Sequence, residues 1–240
     1  EIHDLEPHIK QIYHGGVLYP SARHARNPKK ILLKLFELFL KKNGKFIKED
    51  VKKINFSSDE KPLINTNVSS YKFDKAVIAC GAFSKKLTDQ AGEKIPLDTE
   101  RGYHVHFKGN DHLLSRPVIF LNRGFGITPM EQGLRVVGTV EFGGLNNAAS
   151  KKRIMNLVNN ARYLFPELQK HEDEWLGFRP TLPDFLPVIG PSKKYKNLFY
   201  SFGHHHLGWT LGAISGKIIA GMIAEEKTNL NLEPYGSLRF

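Results

Sequence analysis

Residues 203–223 read GHHHLGWTLGAISGKIIAGMI. Three histidines stand between glycines, ahead of a run of small apolar residues whose one charge is Lys217. Just upstream, NLFYSFG (197–203) has the composition of a buried strand. A strand, a glycine loop and a helix make a unit whose helix start offers unpaired N–H groups and a partial positive charge. Such an end suits a phosphate, a carboxylate or a ring that becomes anionic during turnover. Gly208 permits close approach, and the Thr210 hydroxyl is placed either to cap the helix or to meet a ligand. Gly212, Gly216 and Ala220 recur every four residues, leaving one helix side nearly bare for another backbone. The same pattern also suits a packing helix with no ligand. In an extended loop, His204, His205 and His206 would alternate in direction and not converge on one ion, so no metal is expected.

Outward from this unit the chain alternates helix and strand. Asn27-Pro28 predicts a helix start, Ile31 to Phe39 supply its apolar face, and Gly44 its stop. Strands are expected over KFIKEDVKKINF (45–56) and KAVIACGA (75–82), the second reading as a parallel strand buried on both faces. From Pro96 to about Gly144 the pattern becomes antiparallel: GYHVHFKG, PVIFLNRGFGITP and LRVVGTVEFGG are separated by turn residues. Ser150 then caps a helix that Pro166 ends, and the proline-rich GFRPTLPDFLPVIGP (177–191) must be mostly extended.

Composition bounds the partners. With 35 Lys and Arg against 24 Asp and Glu, the net charge is +11, and the lysines are scattered in pairs. That describes a solvated basic surface first and a face on anionic lipid second; no nucleic-acid-reading motif is present, and nucleic acid is not an expected partner. One cysteine, Cys80, leaves no intramolecular disulfide and fits a reducing compartment, so a cytoplasmic site with peripheral contact to the inner membrane is expected. No stretch reaches the length needed to span a bilayer.

Other residues suit chemistry. Arg179, fixed between Phe178 and Pro180, is a good fork for a carboxylate, or else forms an ion pair with Asp184 or another acid. In RGYHVHF (101–107), alternation puts Tyr103, Val105 and Phe107 on one face and His104 and His106 on the other. No G-x-G-x-x-G fingerprint occurs; the nearest, GFGITP (124–129), lies within a strand and ends in proline.

Taken in order, LEP (5–7), GGVLYPS (15–21), EDVKKI (49–54), KAVIACGAFSKKL (75–87), PLDTERGYHV (96–105), GFRPTLPDFLPVIGPS (177–192) and the opening stretch resemble the FAD-dependent amine oxidoreductases of the D-amino acid oxidase type, bacterial D-amino acid dehydrogenases above all. The resemblance implies a mixed α/β fold: part of a Rossmann-like FAD-binding layer (27–95 and 185–240) with an inserted, mainly antiparallel substrate domain (1–26 and 96–184). It implies that Val51 meets the adenine end of FAD through its backbone and that Ala79, Cys80 and Gly81 pass its ADP half. Gly203, His204, His205, His206, Leu207, Gly208, Trp209 and Thr210 would cradle the isoalloxazine. Arg179 would hold the substrate carboxylate, with Tyr103 and His206 at the substrate pocket.

The implied reaction is hydride removal from a D-amino acid to flavin N5, giving a 2-oxo acid and ammonia, with no side-chain base strictly needed. Electrons would pass to a quinone or another acceptor. The alternatives are a glycine- or sarcosine-type amine oxidase of the same fold, or a non-catalytic remnant binding a partner or a membrane surface. The family's N-terminal pyrophosphate-gripping fingerprint is absent, so the chain reads as a fragment or a truncated paralogue that binds FAD poorly by itself.

Overall fold

The structure, a computed structural model, describes residues 1–240. In chain order come α1 (Ile2–Leu5), α2 (Pro28–Lys41), β1 (Val51–Phe56), β2 (Pro62–Thr66), β3 (Ser70–Lys72) and β4 (Ala76–Ile78). Then follow α3 (Ser84–Gln90), β5 (Asp98–Lys108), β6 (Val118–Phe120), β7 (Phe125–Met130), β8 (Gly133–Glu141) and α4 (Lys151–Leu164). The last elements are β9 (Glu172–Thr181), β10 (Val188–Pro191), β11 (Leu198–Phe202) and α5 (Gly208–Ile223). No helix is long and apolar enough to cross a membrane.

The chain divides into two compact units, one of residues 1–46, 101–141 and 147–177, the other of 47–100, 142–146 and 178–240. This division groups α2 with the first unit, whereas the sequence expectation placed it with residues 47–95.

The first unit is built on the sheet ordered β6-β7-β8-β5-β9. Alternation along β5 sends Tyr103, Val105 and Phe107 into a core with Phe125, Ile127, Leu134 and Val136, all under 4% exposed. Helix α4 covers that face with Ile154, Leu157, Val158, Ala161 and Leu164, each of the branched side chains contributing about 1.5–3 kcal/mol and the alanine methyl less. The capping rules hold at both predicted starts: Asn27 accepts from the Lys30 amide, and Ser150 from that of Arg153.

The second unit is layered. Strands β10, β11 and β4 form one sheet, antiparallel between β10 and β11 and parallel between β11 and β4. Val188, Leu198, Tyr200 and Phe202 point to a core shared with Ile54, Ile78, Leu87 and Ile95. Ile189 and Phe199 point the other way, onto Ile219 of α5. Strands β1, β2 and β3 make a separate antiparallel sheet.

Three expectations are corrected. Residues 45–50 are not strand: their side chains are mostly exposed, and β1 begins only at Val51, where pairing with Thr66 starts. The KAVIACGA strand is reduced to Ala76–Ile78 and lies at a sheet edge with Val77 39% exposed, so it is not buried on both faces. The histidine loop is not extended, because His205 takes a left-handed φ of +52°.

Candidate functional site

β11 delivers the chain to Gly203, whose φ of +83° is open to glycine and costly for other residues. A Cβ there would also stand 2.5 Å from a Leu182 methyl, so the loop closes tightly on the core. The next three residues form a turn: His205 takes the left-handed φ of +52°, and its amide donates to the Pro180 carbonyl at 2.9 Å. The turn breaks the alternation expected of an extended loop and brings the rings of His205 and His206 into contact through their Nδ1 atoms.

Each imidazole has its own partner. His204 Nε2 meets Ser215 Oγ of α5 at 2.9 Å, and burial holds its pKa below the ordinary histidine value. His205 Nε2 meets the Glu100 carboxylate at 2.8 Å, with its ring edge-on to Phe185. His206 is exposed, and its pKa is held down by burial first, then by His205 and Arg179, with Glu100 opposing. No three His, Cys, Asp or Glu side chains are grouped to hold a metal.

Leu207 is the N-cap of α5, and no side chain closes the helix start. Thr210 falls at the third helical position rather than at the cap. The first-turn N–H groups, beside exposed Leu207, Gly208 and Trp209, are therefore an open donor set with the positive end of the helix dipole behind them. Gly212 and Gly216 face open space, and within the chain the bare helix side contacts no second backbone.

Arg179, at the end of β9, shares this unit. Burial lowers its pKa while Glu100 supports its charge. Asp184 is engaged by Arg239, with Nε donating at 2.7 Å, so the acid beside Arg179 is Glu100. Glu100 is 7% exposed and escaped the sequence reading, since a lone acid within TERG carries no sign of burial.

Val51 and Cys80 come together at an apolar cleft of about 300 Å³, lined also by Ile64, Lys75, Val77 and Leu87. Ala79, Cys80 and Gly81 follow the β4 edge; Ala79 and Cys80 are exposed, and the Cys80 amide donates to Ser84 Oγ at 3.1 Å. Tyr103 lies in the first unit, fully buried, its hydroxyl donating to Glu141 at 2.5 Å and accepting from the Ser150 amide at 3.0 Å.

A parallel strand pair leading through a glycine turn into an apolar helix, beside a half-buried arginine, defines an α/β enzyme layer with an anion-favouring helix start. A family model described as FAD dependent oxidoreductase (DAO) matches residues 1–222, and the chain belongs to this family. It is 30% identical over 245 residues to a D-amino-acid oxidase of Bradyrhizobium diazoefficiens, covering 100% of this chain and 58% of that protein. It is 32% identical over 197 residues to a D-amino acid dehydrogenase of Vibrio vulnificus, covering 78% of this chain and 47% of that one. Among solved structures, glycine oxidase from Bacillus cereus matches with a TM-score of 0.79 at 25% identity, covering 95% of this chain and 63% of that one. The chain thus spans about half the length of the curated relatives it matches.

The residues present fit two parts of FAD. The uncapped start of α5 suits the isoalloxazine edge that gains charge on reduction, and the cleft at Val51 and Cys80 suits a flat, weakly polar ring such as adenine.

Proposed function

We propose that the protein carrying this chain oxidises D-amino acids to 2-oxo acids and ammonia. The observation that carries this reading is the placement of Arg179 in one unit with the open start of α5, next to Pro180, whose carbonyl accepts from the His205 amide at 2.9 Å. FAD, when bound, supplies the two-electron acceptor. Arg179 would hold the substrate carboxylate through its fork, and its partial burial strengthens that pairing against water. The N–H groups of Gly208, Trp209 and Thr210 would stabilise the added negative charge at the helix start, with His206 and Leu207 forming the wall beside it. Gly203, His204 and His205 hold that wall in place, His204 through Ser215 and His205 through Glu100. Val51, Ala79, Cys80 and Gly81 would line the adenine and ADP side, whereas Tyr103, in the core of the first unit, lines no pocket. Loss of hydride from Cα of the neutral amine leaves an iminium ion, which water converts to the 2-oxo acid and ammonium.

The electron acceptor we propose is a quinone or another carrier met at a membrane surface by a cytoplasmic protein, which the net charge of +11 favours on anionic lipid. A second reading, oxidation of glycine or sarcosine, is favoured by the likeness to glycine oxidase. Assays of 2-oxo acid and ammonia from D-alanine, L-alanine, glycine and sarcosine test both. Turnover of D-alanine supports the first reading, turnover confined to glycine and sarcosine the second, and turnover of none contradicts both.

A further inference from the structure

We propose that Arg135 forms a second carboxylate-binding site, on the face of the first unit's sheet opposite α4. The site stands apart from the amine-oxidation reading; only its natural occupant rests on that reading.

β8 is the central strand of this sheet. Leu134 and Val136 enter the core under α4, so alternation sends Arg135 and Val137 to the opposite face. Register sets His106 of β5 and Thr128 of β7 on either side of Arg135, and His104 beside Val137. Trp175 of β9 extends the face, its ring stacked on His104 at 4.8 Å. Val137 is 37% and Trp175 55% exposed, so this face is open.

On it, Arg135 is a fork without an anion. Arg26, Arg101, Arg116, Arg153 and Arg239 each hold an acid at 2.7–3.3 Å. Arg135 pairs with none. Its Nε donates to His106 Nε2 at 2.7 Å, which places the hydrogen of neutral His106 on Nδ1. His106 is buried, so this bond is sheltered and anchors the guanidinium. The two terminal nitrogens have no hydrogen-bond partner in the protein and reach solvent. Burial, then Arg135, holds His104 and His106 below the ordinary histidine value, so neither adds charge at neutral pH. A partly buried, uncompensated cation is costly, and a bound anion would relieve that cost.

The surroundings select a carboxylate. β8 is paired on both sides here, so its amides are spent on the ladder and none is left for the extra oxygens of a tetrahedral anion. Two terminal N–H groups match the two oxygens of a planar carboxylate, and the rings of His104 and Trp175 offer its carbon chain a flat floor. Two sources fit: the second carboxylate of an acidic D-amino acid, or a free carboxylate such as the 2-oxo acid product.

1H–15N NMR on the 240-residue chain tests the site without flavin. Acetate exchanged for chloride at constant ionic strength should shift the Arg135 Nε–H and Trp175 indole N–H signals, saturating in the millimolar range. The shift should vanish in Arg135→Gln and weaken in Arg135→Lys, which keeps the charge without the fork. No shift, or one that survives in Arg135→Gln, overturns the site. Turnover by the FAD-loaded protein separates the sources. For the substrate's second carboxylate, Arg135→Gln raises KM for D-glutamate about 10–100-fold and leaves that for D-alanine unchanged. For a free carboxylate, neither KM moves and inhibition by pyruvate weakens. An equal rise for both substrates places Arg135 on the α-carboxylate and overturns a second site. Failure of the unsubstituted protein to oxidise any D-amino acid counts against the substrate reading alone, and the acetate titration then decides the site.

Discussion

The Tyr103 hydroxyl donates to Glu141 at 2.5 Å inside the first unit, tying β5 to the end of β8. The same oxygen accepts from the Ser150 amide at the start of α4, and Tyr103 has no exposed surface. Glu141 also pairs with Arg101 at 3.2 Å, and its pKa is lowered first by the tyrosine bond. Tyr103→Phe removes one oxygen that three elements share. It should cost about 1–3 kcal/mol of unfolding free energy, read as a lower urea midpoint with unchanged slope.

Glu93 plays the matching part in the second unit. It is 1% exposed and accepts from the Tyr200 hydroxyl at 2.8 Å, from Ser237 at 3.0 Å and from Ser192. Glu93→Ala strands these donors and should destabilise the unit by at least about 3 kcal/mol, whereas Glu93→Gln should cost less. Thermal unfolding of the two variants side by side checks the order.

Arg179 is predicted to act on substrate and not on folding. Arg179→Ala should raise KM for any carboxylate substrate by an amount on the order of 2–5 kcal/mol in binding. Arg179→Lys should retain part of it, since the charge survives but the two-pronged fork does not. Steady-state kinetics measure both, and an unchanged KM removes Arg179 from the site.

Acid should loosen the first unit through His104. Its ring stacks on Trp175 at 4.8 Å and on His106 at 5.2 Å, and burial, then Arg135, lowers its pKa to about 4. Because the folded form binds a proton less readily than the unfolded chain, this contribution is complete above about pH 6.5 and is lost as pH falls toward 4. His104→Phe keeps the stack and should flatten the stability slope across that window. Urea unfolding at pH 7 and pH 4.5 decides it.

Much of this architecture was legible in sequence because local chemistry announced it. Asn27 and Ser150 are helix caps by side-chain type, and the β5–β8 block shows through its turn residues. The failures share a cause. Apolar AVIAC says that a strand will be buried but not which neighbour does it, so the open edge at Val77 was invisible. Residues 45–50 have a strand-like composition but stay mostly exposed, and regular strand pairing begins only at Val51. At the site, Arg179 and the histidines drew notice by type. The left-handed His205, which turns three alternating rings into a contact pair, and the buried Glu100 behind it depend on backbone geometry and on residues 105 positions apart.

The family comparison supports flavin chemistry, and the open start of α5 is where the charge of reduced flavin would rest. The most direct measurement is visible absorbance of the FAD-loaded protein under anaerobic conditions on addition of a D-amino acid. D-alanine should bleach the flavin band, L-alanine should leave it, and Arg179→Ala should need far more D-alanine for the same loss. A yellow colour that persists across a broad panel of D-amino acids would contradict D-amino acid oxidation.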